Sequence, residues 1–171
     1  MAEKTNWKET LLLIILSPIL LVILVVVLVI LAVSFPFIKI YEQWLKYRFW
    51  QLHGKFGRFV LLIYSDSPNW KDYIEENILP RIEPHVVMLN WSKRREWPKT
   101  NPFESRVFRR WGGKREFNPM AIVFPPKGKI KKVRFWQAFK DFKHGKEKLL
   151  KECEKTLLNE LENCSAKGAI N

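Results

Sequence analysis

From Thr10 to Ile38 the chain carries no charged residue, and Leu11 to Val33 is aliphatic apart from Ser17, Pro18 and Ala32. As a helix rising about 1.5 Å per residue, that aliphatic run is about 34 Å long, enough to cross a hydrocarbon core of about 30 Å. The stretch predicts a transmembrane helix over residues 10–38, preceded by a short tail over 1–9. Pro18 falls less than two turns from its start, where a lost backbone bond costs only a local kink. A cleaved signal peptide is the alternative, with Ala32-Val33-Ser34 as a loose small-residue site. A signal's apolar core is about 7–15 residues, however, and this run is much longer.

The flanks set an orientation. Lys4 and Lys8 precede the span, whereas Lys39, Lys46, Arg48, Lys55 and Arg58 follow it. That excess of basic residues predicts an outside N-terminus and a cytoplasmic C-terminal domain, as in a bacterial inner membrane. The same region, residues 39–57, interleaves Tyr41, Trp44, Tyr47, Phe49, Trp50 and Phe56 with its lysines and arginines. It reads as a basic, aromatic juxtamembrane helix stopping near Gly54. Two readings of its rings stand side by side: a seat among lipid headgroups, or packing against the domain that follows.

Residues 58–162 read as one α/β domain, with a tail over 163–171. Phe59 to Tyr64 is continuously apolar, the pattern of a strand covered on both faces. Ser67-Pro68 offers a cap and a first-turn proline for a helix ending at Pro80, and His85 to Trp91 forms a second strand. Asn101-Pro102-Phe103-Glu104 begins another helix in capping-box style, with Phe103, Val107, Phe108 and Trp111 on its buried face. Met120 to Phe124 and Ile130 to Phe135 form an antiparallel hairpin whose second strand alternates and belongs at a sheet edge. A helix from Trp136 to Lys143, a break at Gly145 and a helix from Lys146 to Glu162 complete the order. Cys153 lies on the apolar stripe of the last helix, as a small core residue would.

The order β-α-β, helix, β-β hairpin, helix, with Asn118-Pro119 directly before the hairpin, resembles the thioredoxin fold. The whole chain looks like single-span bacterial membrane proteins that carry such a domain. The resemblance implies a cis-proline at Pro119 facing the segment Ser67-Pro68-Asn69-Trp70, which stands where the family has Cys-x-x-Cys. Neither Ser67 nor Trp70 can attack sulfur as a thiolate, so dithiol oxidoreductase chemistry is excluded there. The ligand cleft implied by the fold lies among Ser65, Ser67, Trp70 and Pro119. In glutathione-transferase-like relatives a serine there binds a thiolate, a role open to Ser65 or Ser67, although Ser67 reads more simply as a helix cap.

Composition narrows the chemistry further. Two cysteines and three scattered histidines supply neither a disulfide framework nor a metal site, and no nucleotide-binding or serine-hydrolase motif is present. No cofactor is expected, and Asp66 and His85 form an acid–base pair only if the fold joins them. Basic residues are concentrated: Lys93, Arg94, Arg95, Arg106, Arg109, Arg110, Lys114 and Arg115 in one segment, and Lys131, Lys132 and Arg134 in another. Residues 93–116 carry +6, 127–148 carry +7 and 39–58 carry +4, together more than the whole chain's +13. Beside a bilayer, each such side chain contributes about 1 kcal/mol toward anionic lipid. The leading function is therefore a membrane-anchored, redox-inactive interaction module with a basic surface toward anionic lipid or an acidic protein partner. The alternatives are a glutathione-dependent enzyme and nucleic-acid binding, the latter with Trp91, Trp97 and Trp111 as stacking platforms.

Overall fold

The computed structural model describes residues 7–113 and 118–168. The chain forms two compact units, Met1–Trp44 and Leu45–Asn171. Helix α1, Trp7–Leu52, supplies the first unit and the opening of the second. It runs through Pro18 and also through Pro36. Nearby, the Ser34 hydroxyl donates to the Ile30 carbonyl at 2.6 Å. Among the described side chains of the first unit only Ser34 and Glu42 are even half-buried. Leu20, Ile30 and Phe37 are 62%, 58% and 67% exposed, so the described part of the helix in this unit is apolar around its circumference and buries no face within it. A long helix of that kind suits lipid and not a protein core, and it supports a single-pass membrane topology.

The second unit is a mixed α/β domain built on an open four-stranded sheet. Its strands are β1 Val60–Tyr64, β2 Val86–Asn90, β3 Met120–Val123 and β4 Lys131–Arg134, in the order β2-β1-β3-β4. β1 runs parallel to β2 and antiparallel to β3, and β3 pairs antiparallel with β4. All five residues of β1 are buried, as its unbroken apolar sequence requires. β4 is exposed except at Val133, which fits an edge strand.

Side chains alternate between two apolar layers. Leu61 and Ile63 face Leu45 and Phe49 of α1 and Val107, Phe108 and Trp111 of a later helix. Val60, Leu62 and Tyr64 face the opposite layer, with Ile74, Ile78, Phe139, Leu150 and Leu157. The aromatics after the span thus divide. Phe49 is fully buried and stacks on Phe124 with centroids 4.1 Å apart, whereas Tyr41, Trp44 and Tyr47 stay exposed. The compact unit accordingly begins before residue 58.

Helix α2 spans residues 71–82 in three parts: Lys71–Tyr73, a π-helical turn Ile74–Ile78 and Leu79–Ile82. It does not stop at Pro80. The widened turn just ahead removes the clash that a proline ring makes with an α-helical carbonyl four residues back. Nor does it begin at Pro68. Ser67 caps a preceding turn, taking Trp70 N–H and Lys71 N–H on its carbonyl at 3.2 and 3.0 Å.

Short helix α3, Trp97–Thr100, leads into α4, Pro102–Trp111. The capping box is absent: Asn101 makes no side-chain cap bond, and Glu104 instead bonds His53 Nε2 at 2.7 Å. α5, Trp136–Phe142, and α6, Lys148–Gly168, follow β4. α6 runs past residue 162 because Cys164 continues its buried stripe. Gly54 marks the turn after α1, where a Cβ would lie 2.1 Å from the Trp50 ring.

Candidate functional site

The segment after β1 and the proline before β3 both lie at the end of the sheet marked by Tyr64, Asn90 and Met120, as strand register requires. The Asn118–Pro119 peptide is cis, and the Pro119 carbonyl accepts Phe135 N–H at 2.9 Å. Ser65 is buried, and its Oγ accepts the Trp70 indole N–H at 3.1 Å. Ser67 Oγ receives Asn69 N–H at 3.4 Å. Ser65, Ser67 and Trp70 are therefore tied to one another or to their own turn.

Beside them a cavity of about 300 Å³ is lined by Asn69, Trp70, Trp136, Phe139, Lys140 and Lys143. Its wall is aromatic, and Lys140 Nζ lies 5.4 Å from the Trp136 ring centroid. Sequence reasoning placed Trp70 here and missed the contribution of α5. The spacing of Trp136, Phe139, Lys140 and Lys143, three and four residues apart on one helix face, was the available signal.

The titratable groups are committed to structural partners. Asp66 Oδ1 accepts Asn90 Nδ2 at 3.0 Å, and that bond, together with nearby Lys71, holds its carboxyl below the usual range. His85 sits at the other end of the sheet, with Nδ1 2.8 Å from the Gly57 carbonyl and its ring stacked on Phe59. Asp66 and His85 thus flank opposite ends of paired strands and form no acid–base pair. Burial and the bond to Glu75 push the Tyr64 phenol up to about 12, which removes it as a base near neutrality. Burial also raises the thiol of Cys153, which is half-buried and packs against the edge of the core.

Cys153 and Cys164 form no disulfide, lie eleven residues apart on α6, and no Cys-x-x-Cys exists in the chain. A dithiol oxidoreductase is excluded. Among the described residues no group of three or more His, Cys, Asp or Glu side chains is placed to hold a metal ion.

The basic residues fall in different places. Lys93, Arg94 and Arg95 follow β2 at one edge of the sheet, while Lys131, Lys132 and Arg134 lie on β4 at the other. Three strand spacings separate these edges, about 14 Å. Arg106 and Arg109 are exposed on α4 and Arg110 is half-buried there; Lys114 and Arg115 lie outside the described residues. Trp97 and Trp111 are buried, and Trp97 packs edge-on against Trp91 and Phe108, so these rings serve the core and offer no stacking platform.

Lys127 and Lys129 are exposed at the tip of the β3–β4 hairpin. There the Lys46 ammonium donates to the Gly128 carbonyl at 2.8 Å. Burial pulls Lys46 below the ordinary lysine value. No protein-family model matches the chain, and neither a curated protein nor a solved structure is found similar to it.

Proposed function

We propose that the chain is a single-span membrane protein whose thioredoxin-like, redox-inactive domain, residues 58–162, works as an interaction module on the anionic cytoplasmic leaflet. The strand order β2-β1-β3-β4, with only β3 running against the rest, supports the thioredoxin-like reading. The span over residues 10–38 and the basic excess after it support anchorage and a cytoplasmic domain.

The observation that carries the proposal is the Lys46–Gly128 hydrogen bond. Lys46 lies eight residues after Ile38, the last residue of the charge-free run. Eight residues reach at most about 28 Å in any conformation. The hairpin tip, with Lys127 and Lys129, is therefore tied through the Lys46 side chain to a residue that lies no further than this from the end of the charge-free run. A tethered cation spends its time close to the surface that attracts it, and each contributes about 1 kcal/mol against anionic headgroups.

The full chain, reconstituted in nanodiscs, tests the proposal through acetylation of its lysines read by mass spectrometry. Lys127, Lys129 and Lys131 react more slowly in phosphatidylglycerol-containing discs than in pure phosphatidylcholine. Equal labelling in both lipids overturns the reading.

A further inference from the structure

A feature at the end of the sheet remote from Ser67 goes beyond general attraction to a charged surface. Two cavities lie side by side there. The larger, about 750 Å³, is bounded by Trp50, Phe59, His85, Pro126 and Cys164. Its floor is an aromatic pile: Trp50 stacks over Phe59 at 6.4 Å, and Phe59 stacks on His85 at 4.8 Å. The smaller, about 280 Å³, is bounded by Lys127, Lys129, Lys131, Glu160, Asn163 and again Cys164. The two share Cys164, and the consecutive residues Pro125 and Pro126 line one each.

The pair is amphiphilic. One compartment presents mainly rings and a proline, with a single ammonium from Lys55, and the other presents three ammonium groups against one carboxylate. Lys131, itself exposed, is partly engaged by Glu160 at 3.5 Å, and Lys127 and Lys129 are exposed beside it. Gly128 between them has a φ of 102°, and beyond its chain neighbours no heavy atom comes within 4 Å of where a Cβ would stand, so the backbone at the tip is open to a ligand. Cavities of roughly 300–1,000 Å³ with apolar walls and a few convergent polar groups are the sizes that hold a single small molecule. The chemistry that fits both halves at once is a phosphate joined to a hydrocarbon.

We propose that these neighbouring cavities together hold one phosphomonoester lipid, its phosphate among Lys127, Lys129 and Lys131 and its acyl portion along Trp50, Phe59 and Pro126. The proposal rests on the reading that the domain works at an anionic membrane, and it adds a discrete, stoichiometric site. The Lys46 bond ties that site to the segment that follows the span, and the bilayer would supply the lipid.

Native mass spectrometry of the full chain in detergent, supplied with phosphatidic acid or phosphatidylcholine, tests it. One phosphatidic acid is retained per chain and phosphatidylcholine is not. Reversing charge at the tip with Lys127→Glu and Lys129→Glu lowers retention at least about tenfold, given the contribution of each lysine near an anionic headgroup. The same reversal at the far edge, Lys93→Glu with Arg94→Glu, leaves retention unchanged. Ser165 lines the larger cavity and is exposed, so Ser165→Trp occupies the acyl compartment without touching the core and also lowers retention. Inorganic phosphate at the lipid's concentration does not displace it.

The proposal is overturned if no lipid is retained, if both double variants lose it equally, or if inorganic phosphate displaces it fully. Lysine protection in anionic nanodiscs that persists without a retained lipid removes this site and leaves the membrane-docking reading standing. Loss of both removes the two together.

Discussion

The two ends of the sheet solve their polar groups in opposite ways. At the end where β1 and β2 finish, side chains and backbone satisfy one another: the Trp70 indole donates to Ser65, the Asn90 amide to Asp66, the Asp66 N–H to the Ser92 hydroxyl, the Ser92 N–H to the Asn90 side chain, and the Trp97 indole to the Asn90 carbonyl. At the end where they begin, the hairpin puts lysines around open volume. Ligands of open α/β sheets usually bind beyond the carboxyl ends of parallel strands. Here the serine, asparagine and aspartate groups at that end are spent on turns, leaving an aromatic cavity bordered by Lys140 and Lys143, and a second group of lysines gathers around open volume at the opposite end. What separates the two ends is density: the hairpin end sets Lys127, Lys129 and Lys131 around one small cavity, whereas Lys140 and Lys143 border a mainly aromatic one.

The strongest way to break this contrast is to disturb what supports the hairpin end. Phe49 is fully buried and stacks on Phe124, which leads directly out of β3 into the hairpin. Phe49→Ala should lower stability by about 3–5 kcal/mol, the usual cost of removing a buried ring. Thermal unfolding of the full chain in detergent checks this, with Phe49→Leu expected to recover most of the loss.

At the other end, Ser65→Ala leaves the Trp70 indole N–H without its acceptor. A half-buried donor stranded this way costs about 1–2 kcal/mol. The same unfolding measurement should show this smaller drop, and Trp70→Phe, which removes the donor as well, should make the Ser65→Ala change nearly neutral. A full-sized loss in the Trp70→Phe background would mean the bond does not hold the turn.

Much of the scaffold is legible in the sequence, because periodicity and turn chemistry act locally. The all-apolar run in β1, the alternation in β4 and the stripe of Leu150, Leu157 and Leu161 each announce their burial without knowledge of the rest. What was not legible depends on meetings between distant segments. Glu104 reads as a capping acid from its neighbours, but His53, 51 residues away, claims it. Glu154 sits among leucines as if on an exposed turn, yet it is buried because Tyr73 and Arg81 arrive from α2 to bond it at 2.5 and 3.4 Å. The lysine hairpin is visible as a charge run, whereas its meeting with Lys46 exists only in three dimensions.

The His53–Glu104 pair gives a prediction that sharpens the comparison through pH. Its hydrogen bond holds the Glu104 carboxyl below the ordinary value of 4.5. A carboxylate depressed in the folded state contributes stability in full above its unfolded pKa and loses it as pH falls through the folded one. Melting temperature should therefore fall as the pH is taken below about 4.5, and Glu104→Gln should flatten that part of the profile. An unchanged slope in the variant would assign the acid sensitivity to another carboxylate.

The smallest effect on folding is expected at the residues given the most functional weight. Lys129 is exposed, and reversing an exposed charge away from caps and buried partners moves stability by no more than about 0.5 kcal/mol. Lys129→Glu and Lys93→Glu should thus melt alike. They should differ at the membrane. Lys129 neighbours Gly128, which Lys46 holds from the segment that follows the span, whereas Lys93 follows β2 at the far edge of the sheet. Only Lys129→Glu should therefore raise the acetylation of the remaining hairpin lysines in anionic nanodiscs. If Lys93→Glu raises it equally, the attraction belongs to net charge and the hairpin has no privileged place.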